Sequence, residues 1–313
     1  FVPTVIASAL IATAGDGDLQ SSVLPGLADG STVGAVALGG SVTVSDGTAS
    51  GDAGVVLGGA AASVLLVSVG DDVAVVQTVE AGDAVTIESP PSLDPSRPSV
   101  RVTLDRVPAT VIPGARRALV DLARVILSAD AVGVARECTE MGAAYSKERI
   151  QFGRPIAMYQ AVKHHCANMS VATELATSAV WDAARAAATG GDQLSYAAAV
   201  AATLAAPAAD LCANLNTQVH GGIAITWEHD AHLYMRRATT LLHYLDATGA
   251  AEELTDLTRQ GIVREKAIEL PPEAEAIREE VRAFAQSIKD LPANEQRTRL
   301  IETGFVMPHW PKP

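Results

Sequence analysis

The sequence is poor in aromatic residues, in cysteine and in positive charge. Phe, Trp and Tyr make up 4% of the 313 residues, and there are three cysteines. Lys and Arg number 23 against 36 Asp and Glu, which gives a formal net charge of −13. Nucleic-acid binders and proteins that dock on anionic lipid normally present a basic face, so we expect neither partner. Net charge does not exclude a phosphorylated ligand in a locally basic pocket.

The three cysteines do not form a motif. Cys138, Cys166 and Cys212 are far apart, and no histidine cluster lies at the spacing that zinc ligands require. His164 and His165 are adjacent, and adjacent residues on a helix point apart, so they do not predict a metal site. We therefore expect free thiols, no metal and a reducing, cytoplasmic compartment.

A long hydrophobic run and a basic leader are also missing. The longest apolar run that we identify, residues 55–69, is short, is broken by Gly and is soon followed by Asp71 and Asp72. It is too short to span a membrane, and the apolar start of the chain lacks the basic residues of a signal peptide. The first residue is not Met. We expect the chain to start inside a longer polypeptide.

Apolar residues nevertheless make up 48% of the sequence, which is enough for sizeable cores and about two domains. Residues 32–112 contain short Val-rich runs such as SVLLVSV, DVAVVQTV and SVRVTLDRV, separated by Gly, Asp, Pro and Ser. β-Branched side chains suit a pleated surface. Because no helical segment lies between these runs, they predict an antiparallel sheet or a small barrel.

The pattern changes to a helical period after residue 114. Four long Ala- and Leu-rich stretches with short Gly-containing links predict an antiparallel four-helix bundle. The predicted helices run over residues 115–149, 156–189, 195–220 and 229–257.

Both ends of the chain read as parts of something larger. Residues 3–14 predict a helix, which the Asp and Gly of residues 16–31 interrupt. Residues 261–272 predict a linker ending in two prolines, and a new helix over residues 273–291 follows, with acidic residues in its first turn. No later segment could pack on this helix, so we expect a further domain to begin here.

The first candidate motif is RIQFGRP, residues 149–155, at a predicted helix end. Gly153 and Pro155 favour a turn. Arg149 beside Gln151 and Phe152 offers a guanidinium fork for phosphate together with a flat aromatic surface. The alternative is an arginine that caps a helix and a phenylalanine that packs in the core.

The second candidate motif, Gln218-Val219-His220-Gly221-Gly222, closes the third predicted bundle helix. Its glycines allow a ligand to come close, and their amides can hold phosphate oxygens. The alternative is an ordinary helix C-cap. Together, in a helical bundle that follows a β-domain, the two motifs are more specific than either is alone.

With these motifs the sequence resembles the acyl-CoA dehydrogenase family. QSSVLPGLADGSTVGAVAL is similar to the family's link into its β-domain, LDPSRPSVRVTLDRVPATVI to its last β-domain segment, and the stretch around RIQFGRP to its first bundle hairpin. The resemblance covers residues 1 to about 260, and the ending EEVRAFA…GFVMPHWPKP resembles the start of the family's N-terminal helical domain. The chain thus resembles the middle of a tandem-fused, two-unit enzyme of the actinobacterial type that degrades steroid side chains.

The resemblance implies an α+β fold in five parts. They are the end of an N-terminal helical domain at 1–30, a small antiparallel β-barrel at 31–112, a C-terminal antiparallel four-helix bundle at 113–260, a linker at 261–272, and the start of a second unit's helical domain at 273–313.

Members of this family bind FAD between two subunits, with the flavin ring on the β-domain of one and the nucleotide tail on the bundle of the other. The resemblance assigns that tail to Arg149, Gln151, Phe152, Gln160, Gln218, Gly221 and Gly222. It implies dehydrogenation of an acyl-CoA thioester in lipid β-oxidation, by paired units that form a homodimer and pass electrons to a second flavoprotein.

The flavin-ring side and the catalytic base depart from the family. Ala37-Leu38-Gly39-Gly40 stands where the family has Thr-Glu-Pro followed by Gly-Ser-Asp, and Ser45 and Thr48 do not restore the pattern. The family's catalytic Glu falls at Leu245, and its second location for this residue falls at Ala123.

Nearby carboxylates offer only weak substitutes. Asp246 is one residue from the base position and would need a local shift of the backbone to act. Arg124 and Asp121 match a substrate-contact stretch of the family, and the alternative is an exposed ion pair between them.

The groups that this sequence lacks, the flavin-ring contacts and the base, belong in the family to the site that a unit builds with its own β-domain. The groups that it retains, in the RIQFGRP and Gln218–Gly222 motifs, belong to the site that a unit completes for its neighbour. The resulting hypothesis is a helper unit without a catalytic residue of its own, in FAD-dependent oxidation of an acyl-CoA, with a steroid side-chain thioester as one candidate. Ala224 and Ile225, where the family has Gly and an aromatic residue, favour a scaffold that binds no cofactor. An independent enzyme that uses Asp246 is the third alternative.

Overall fold

The computed structural model describes residues 1–265 and 271–307. The chain divides into two compact units, Phe1–Arg264 and Glu265–Pro313. The predicted linker falls partly on residues 266–270 and the predicted aromatic ending on residues 308–313, so these parts lie outside the described residues.

Two helices open the first unit, α1 (Val2–Ala14) and α2 (Gly17–Asp29). The expectation of an interrupted segment after α1 is wrong, because Asp16 caps a second helix. Its Oδ1 accepts the backbone N–H of Leu19 at 2.8 Å, a typical N-cap bond that satisfies a donor of the first turn.

A small barrel follows these helices, as predicted. Its elements are β1 (Gly34–Ala37), β2 (Thr43–Ser45), β3 (Thr48–Leu57), β4 (Val64–Val69), β5 (Asp72–Gln77), the short helix α3 (Thr78–Ala81), β6 (Val85–Glu88) and β7 (Ser99–Ile112). The strand order is β2-β3-β1-β4-β5-β7-β6, and an additional β3–β7 pairing closes the sheet. β1 and β4 run parallel, from Gly34 opposite Val64 to Ala37 opposite Val67, and the other strand pairs are antiparallel.

The helical bundle then occupies the rest of the first unit. Its elements are α4 (Arg116–Glu148), the hairpin strands β8 (Ile150–Gln151) and β9 (Arg154–Pro155), α5 (Gln160–Ala186), α6 (Gly191–His220), α7 (Ala231–Leu245) and α8 (Ala247–Arg259). The prediction of a β-barrel followed by a helical bundle is confirmed. The fourth predicted helix is in fact two, because Asp246 adopts a left-handed conformation, with φ at 41°, between α7 and α8.

The helix α6 forms the centre of this bundle. Alanines dominate its buried face, and small side chains let α4 and α5 pack closely against it. By length and composition alone, Gly191–Ile225 could cross a membrane, which the sequence analysis overlooked. In the structure 61% of its most apolar window is buried, as expected of a core helix.

A loop of the barrel fixes the bundle in place within the first unit. This loop, residues 89–98, lies between β6 and β7 and contacts α4 and α7. Arg237 on α7 bonds the buried Asp94 of the loop, and Arg97 of the loop contacts Asp130 on α4 at 2.6 Å. The Ser99 and Tyr244 hydroxyls meet at 2.8 Å at the other end of α7.

The second unit contains α9 (Pro272–Ala276), α10 (Arg278–Ile288) and α11 (Ala293–Glu302). The single helix predicted over residues 273–291 is therefore broken, at Ile277. The rings of Phe284 and Phe305 lie 4.8 Å apart within this unit. Its assignment to the start of a second dehydrogenase unit stays a prediction.

Candidate functional site

The RIQFGRP motif forms an exposed hairpin at the end of α4. Ile150 pairs with Pro155, and Gln151 with Arg154, so Phe152 and Gly153 make a two-residue turn. Both turn residues have positive φ, 52° for Phe152 and 78° for Gly153, as a type I′ turn requires. A bulky residue in this conformation is strained, and Phe152 is also 91% exposed. Strain and exposure together are typical of a functional position.

Tyr159, which follows the hairpin in sequence, packs against it. The guanidinium of Arg154 lies 4.2 Å from the centre of the Tyr159 ring, and the Phe152 ring approaches the same ring edge-on at 6.4 Å. The Tyr159 hydroxyl donates to the backbone oxygen of Gln151 at 3.3 Å. These contacts hold the turn in shape while Arg149 and Phe152 remain open to solvent.

The other predicted nucleotide contacts are exposed as well. Gln160, at the start of α5, has its amide 3.5 Å from His164, and Gln218 lies on the solvent side of α6. Gly221 begins a 3-10 turn, Gly221–Ile225, with φ at 66°. A β-carbon added at Gly221 or Gly222 would meet nothing within 4 Å, so space remains open over both backbones.

This donor set fits the phosphate part of a nucleotide. Arg149 makes no ion pair with another described residue, so its guanidinium fork is available to an anion. The open glycines allow close approach, and the Phe152 ring offers a flat surface beside them.

A cavity of about 570 Å³ lies between the barrel and the bundle. It is lined by Leu38, Asp71, Gly114, Arg116, Arg117, Val120, Asp121, Arg124, Tyr244, Leu245, Asp246 and Glu253. Leu245, which the resemblance aligns with the family's catalytic Glu, is 1% exposed. Ala123, which the resemblance aligns with the second location of that residue, is fully buried and is absent from this lining.

Asp246 lines the cavity, but its carboxylate already has a structural partner. Its Oδ1 accepts the backbone N–H of Gly249 at 3.2 Å, which makes Asp246 the N-cap of α8. The left-handed backbone of Asp246 is stabilised by this bond. The Asp246 side chain is exposed in this unit.

Asp121 and Arg124 do not form the exposed ion pair that was the alternative. Asp121 is 2% exposed, and Ser195 on α6 donates to its Oδ2 at 2.5 Å. Arg124 instead contacts Glu253 on α8 at 2.5 Å. Burial raises the pKa of Asp121 to about 6, since the Ser195 bond and the nearby arginines offset burial only in part.

The segment Ala37-Leu38-Gly39-Gly40, which the resemblance aligns with the family's flavin-ring side, carries no side-chain hydroxyl or carboxylate. Ala37 is buried in β1, and Gly39 and Gly40 carry no hydroxyl. Thr48 donates its hydroxyl to the backbone oxygen of Ser45 at 3.0 Å, within the turn between β2 and β3. Ser45 and Thr48 therefore stabilise the turn between β2 and β3.

Sequence reasoning missed Ser195, Glu253 and Tyr159. The sequence of α6 does not single out Ser195, because Tyr196, Thr203 and Thr217 also carry hydroxyls in this helix. The contacts of Glu253 and Tyr159 depend on where α8 and the hairpin fold back, which the sequence pattern does not specify. In the described ranges, no three His, Cys, Asp or Glu side chains are grouped to hold a metal ion.

Comparison with known proteins gives one consistent family. Residues 115–245 match the description "Acyl-CoA dehydrogenase, C-terminal domain". The whole chain is 41% identical to acyl-CoA dehydrogenase FadE34 of Mycobacterium tuberculosis and spans 44% of its length. Over 52% of the chain, identity to acyl-CoA dehydrogenase IpdE2 of Mycolicibacterium smegmatis is 36%, across 49% of that protein.

A solved structure shows the same relationship. The Tcur3481-Tcur3483 steroid ACAD superposes with a TM-score of 0.76 at 29% identity, and the match covers 83% of this chain and 76% of that one. The chain spans about half the length of the curated relatives it matches. Residues 115–245 therefore match an acyl-CoA dehydrogenase C-terminal domain, and the chain as a whole is similar to acyl-CoA dehydrogenases in sequence and fold.

Proposed function

We propose that this chain completes the FAD site of a second dehydrogenase unit, in the α,β-dehydrogenation of an acyl-CoA thioester. The exposed, strained hairpin is the observation that carries the proposal. A phenylalanine held at positive φ remains 91% exposed in spite of its edge-on contact with the Tyr159 ring. A nucleotide bound from a neighbouring unit would cover it.

Each predicted contact residue has a role in this proposal. Arg149 offers two parallel N–H groups to a diphosphate oxygen pair. Gly221 and Gly222 contribute an open backbone at the end of α6, where no side chain blocks approach, although the Gly221 N–H already donates to the backbone oxygen of Thr217. Gln151, Gln160 and Gln218 are exposed amides that hydrogen-bond ribose or base edges, and Phe152 packs beside them.

The same proposal leaves this unit without a proton-abstracting group. Removal of the α-proton of a thioester needs a carboxylate held near the substrate in apolar surroundings. Leu245 and Ala123 occupy the two positions where the family carries that carboxylate, and Asp246 caps α8. When bound to the second unit, FAD would accept the hydride from the β-carbon of the substrate.

The substrate class is proposed as a steroid side-chain CoA thioester. Support comes from the structurally similar steroid ACAD, which shares this fold at 29% identity. The partners that we propose are the second unit on the same polypeptide, a second copy of the fused chain, and an electron-accepting flavoprotein. The chain has 44% of the length of FadE34, which is compatible with a second unit in the same protein.

The test is the FAD content of the intact protein and its Arg149→Ala variant, measured by flavin absorbance. We expect one FAD for every two dehydrogenase units, and a loss of at least about tenfold in FAD affinity in the variant, because a charge-assisted bidentate pair is removed. Arg259→Ala is the matched control, since Arg259 is an exposed arginine on α8 with one local ion pair. Asp246→Asn, which can still cap α8, should retain turnover.

Three results would contradict this proposal. Two FAD molecules per pair would show that this unit holds its own flavin. An inactive Asp246→Asn variant with normal FAD content would make Asp246 the base. Absence of FAD from folded intact protein would support the scaffold, which Ala224 and Ile225 in the second motif favour.

A further inference from the structure

Two histidines meet at the base of the Gly221–Ile225 turn. His220 is the last residue of α6 and is buried, and His229 lies just before α7. Their ring centres are 4.5 Å apart, with the planes inclined at 52°. Tyr145 on α4 stacks on His220 with ring centres 4.3 Å apart and planes 24° apart. The contact between the two imidazole rings therefore joins the residue before the Gly221–Ile225 turn to a residue that follows it.

Hydrogen bonding fixes the proton on His220. Its Nδ1 lies 2.9 Å from the backbone oxygen of Asn216, one turn earlier on α6. A carbonyl oxygen only accepts, so Nδ1 carries the proton and the neutral ring keeps its lone pair on Nε2. This bond holds the His220 ring against the last turn of α6.

The opposite arrangement holds for His229. Its Nδ1 lies 3.0 Å from the backbone nitrogen of Ala231, which donates its N–H as the first residue of α7. His229 Nδ1 must therefore be unprotonated, with the proton on Nε2. Asp230, the residue at the N-cap position, makes no side-chain capping bond, so the His229 imidazole takes over this task.

We propose that His220 and His229 form a clasp that positions the Gly221–Ile225 turn, and that the clasp closes only while His229 is uncharged. They are positioning residues, since they act on the turn and not on a ligand. The inference rests on the proposed function in one respect, the assignment of Gly221 and Gly222 to the nucleotide tail of FAD.

Protonation of His229 would break the clasp in two ways. The added proton goes to Nδ1, which then no longer accepts from Ala231. The positive charge also faces His220, and burial, followed by the contact with His229, already holds the pKa of His220 below its usual value. Two charged imidazoles at this distance repel each other in a partly desolvated site.

The surroundings do not compensate for that charge. The other titratable group stacked on the pair is Tyr145 from α4. Glu228 and Asp230, on either side of His229, are exposed, and His232 on α7 packs against Trp227. Among the described residues, no carboxylate is ion-paired with either His220 or His229.

The test is amide hydrogen exchange of residues 221–231 in the intact protein between about pH 8 and pH 5, where histidine titrates. Protection factors are corrected for the intrinsic exchange rate at each pH. We expect wild-type protection in this segment to fall at least about tenfold towards pH 5, with no equal fall in α6. His229→Asn should remove the pH dependence and keep the protection, because an asparagine oxygen caps a helix without titrating.

Two further variants make the result specific. His229→Ala, which has no acceptor for Ala231, should lose protection at every pH. His165→Asn changes a histidine on α5 outside the clasp and should behave as wild type. Wild-type protection that does not change with pH, or a His229→Asn variant that keeps the wild-type fall, would overturn the inference. The wild-type series decides the matter even where a variant does not fold.

Retention of FAD, measured over the same pH range, separates this inference from the proposed function. If both hold, FAD is released towards pH 5 from wild type and is kept by His229→Asn. If amide exchange changes with pH as expected but FAD retention does not, the inference of the clasp is supported and the assignment of Gly221 and Gly222 to FAD is wrong.

Discussion

The buried carboxylate of Asp121 makes stability depend on pH. Burial raises its pKa to about 6 from 3.8, so the native state binds the proton more tightly than the unfolded chain does. The native state is therefore favoured at low pH and loses stability as pH rises through about 6. The difference between the two pKa values corresponds to roughly 3 kcal/mol at full ionisation.

Asp121→Asn should remove this dependence, because an amide oxygen still accepts from Ser195 and carries no charge. We expect the variant to be more stable than wild type at pH 8, by up to about 3 kcal/mol, and nearly equal to it at pH 4. Urea unfolding at the two pH values measures the difference. Asp105→Asn, at a side chain that is 76% exposed, is the control. An equal effect of Asp121→Asn at both pH values would contradict the argument.

Among single residues, the sequence predicted the exposed motif positions better than the buried polar ones. Arg149 and Gly221 directly follow α4 and α6, Phe152 lies in the hairpin turn after α4, and all three are exposed. The partners of Asp121 and Arg124 lie 74 and 129 residues further along the chain, so local spacing could not predict them. The sequence makes Asp246 a candidate base. Its bond to Gly249 depends on the break between α7 and α8, which the helical period does not predict.

At the scale of elements, loop 89–98 and α7 depend on Arg237. This side chain donates to Asp94, to Ser96 at 2.7 Å and to Asp130 at 3.3 Å. Burial acts to raise the pKa of Asp94, but bonds from Ser96 and Arg237 outweigh it and hold that pKa below its usual value. Asp94 is 1% exposed, so loss of Arg237 would leave a buried carboxylate that keeps its bonds from Ser96 but loses its cation.

Arg237→Ala should therefore destabilise the first unit by about 3–5 kcal/mol at pH 7. Denaturant unfolding measures this loss, which should shrink at acid pH, where Asp94 becomes protonated. Arg236→Ala is the neighbouring control, because among the described residues Arg236 bonds the Leu93 backbone oxygen and lies over Trp227 without an ion pair, and we expect a smaller loss. Equal losses from both variants would show that the ion pair with Asp94 does not hold the loop.

Element type followed from the sequence wherever the pattern was long. The Val-rich runs and the Ala-rich stretches became strands and helices, since a period of 2 or 3.6 sets which face is buried. Breaks were harder to predict. Asp246 and Ile277 interrupt predicted helices, and α2 forms in spite of Pro25, because a cap at Asp16 stabilises its first turn. The parallel pairing of β1 and β4 depends on how the chain closes the barrel, which local pattern does not encode.

At the scale of the whole molecule, the buried core that the structure describes lies within the first unit. Every buried residue that the structure describes lies at or before Leu257. We therefore expect residues 1–264 to fold without the second unit. Their urea unfolding midpoint, followed by far-UV circular dichroism, should equal that of the longer chain. A chain ending at residue 245, which lacks α8 with Ala250 and Glu253, is the control and should be much less stable. Aggregation of the 1–264 chain would contradict this prediction.

The position of α6 also matters for how the protein is made. A segment of this length and apolar character would be a target for membrane insertion or aggregation if it left the ribosome without partners. Synthesis proceeds from the N-terminus, so α4 and α5 have already emerged when α6 appears, and they are two elements that α6 packs against. The order of helices along the chain thus supplies a sheltering surface before the vulnerable helix is released.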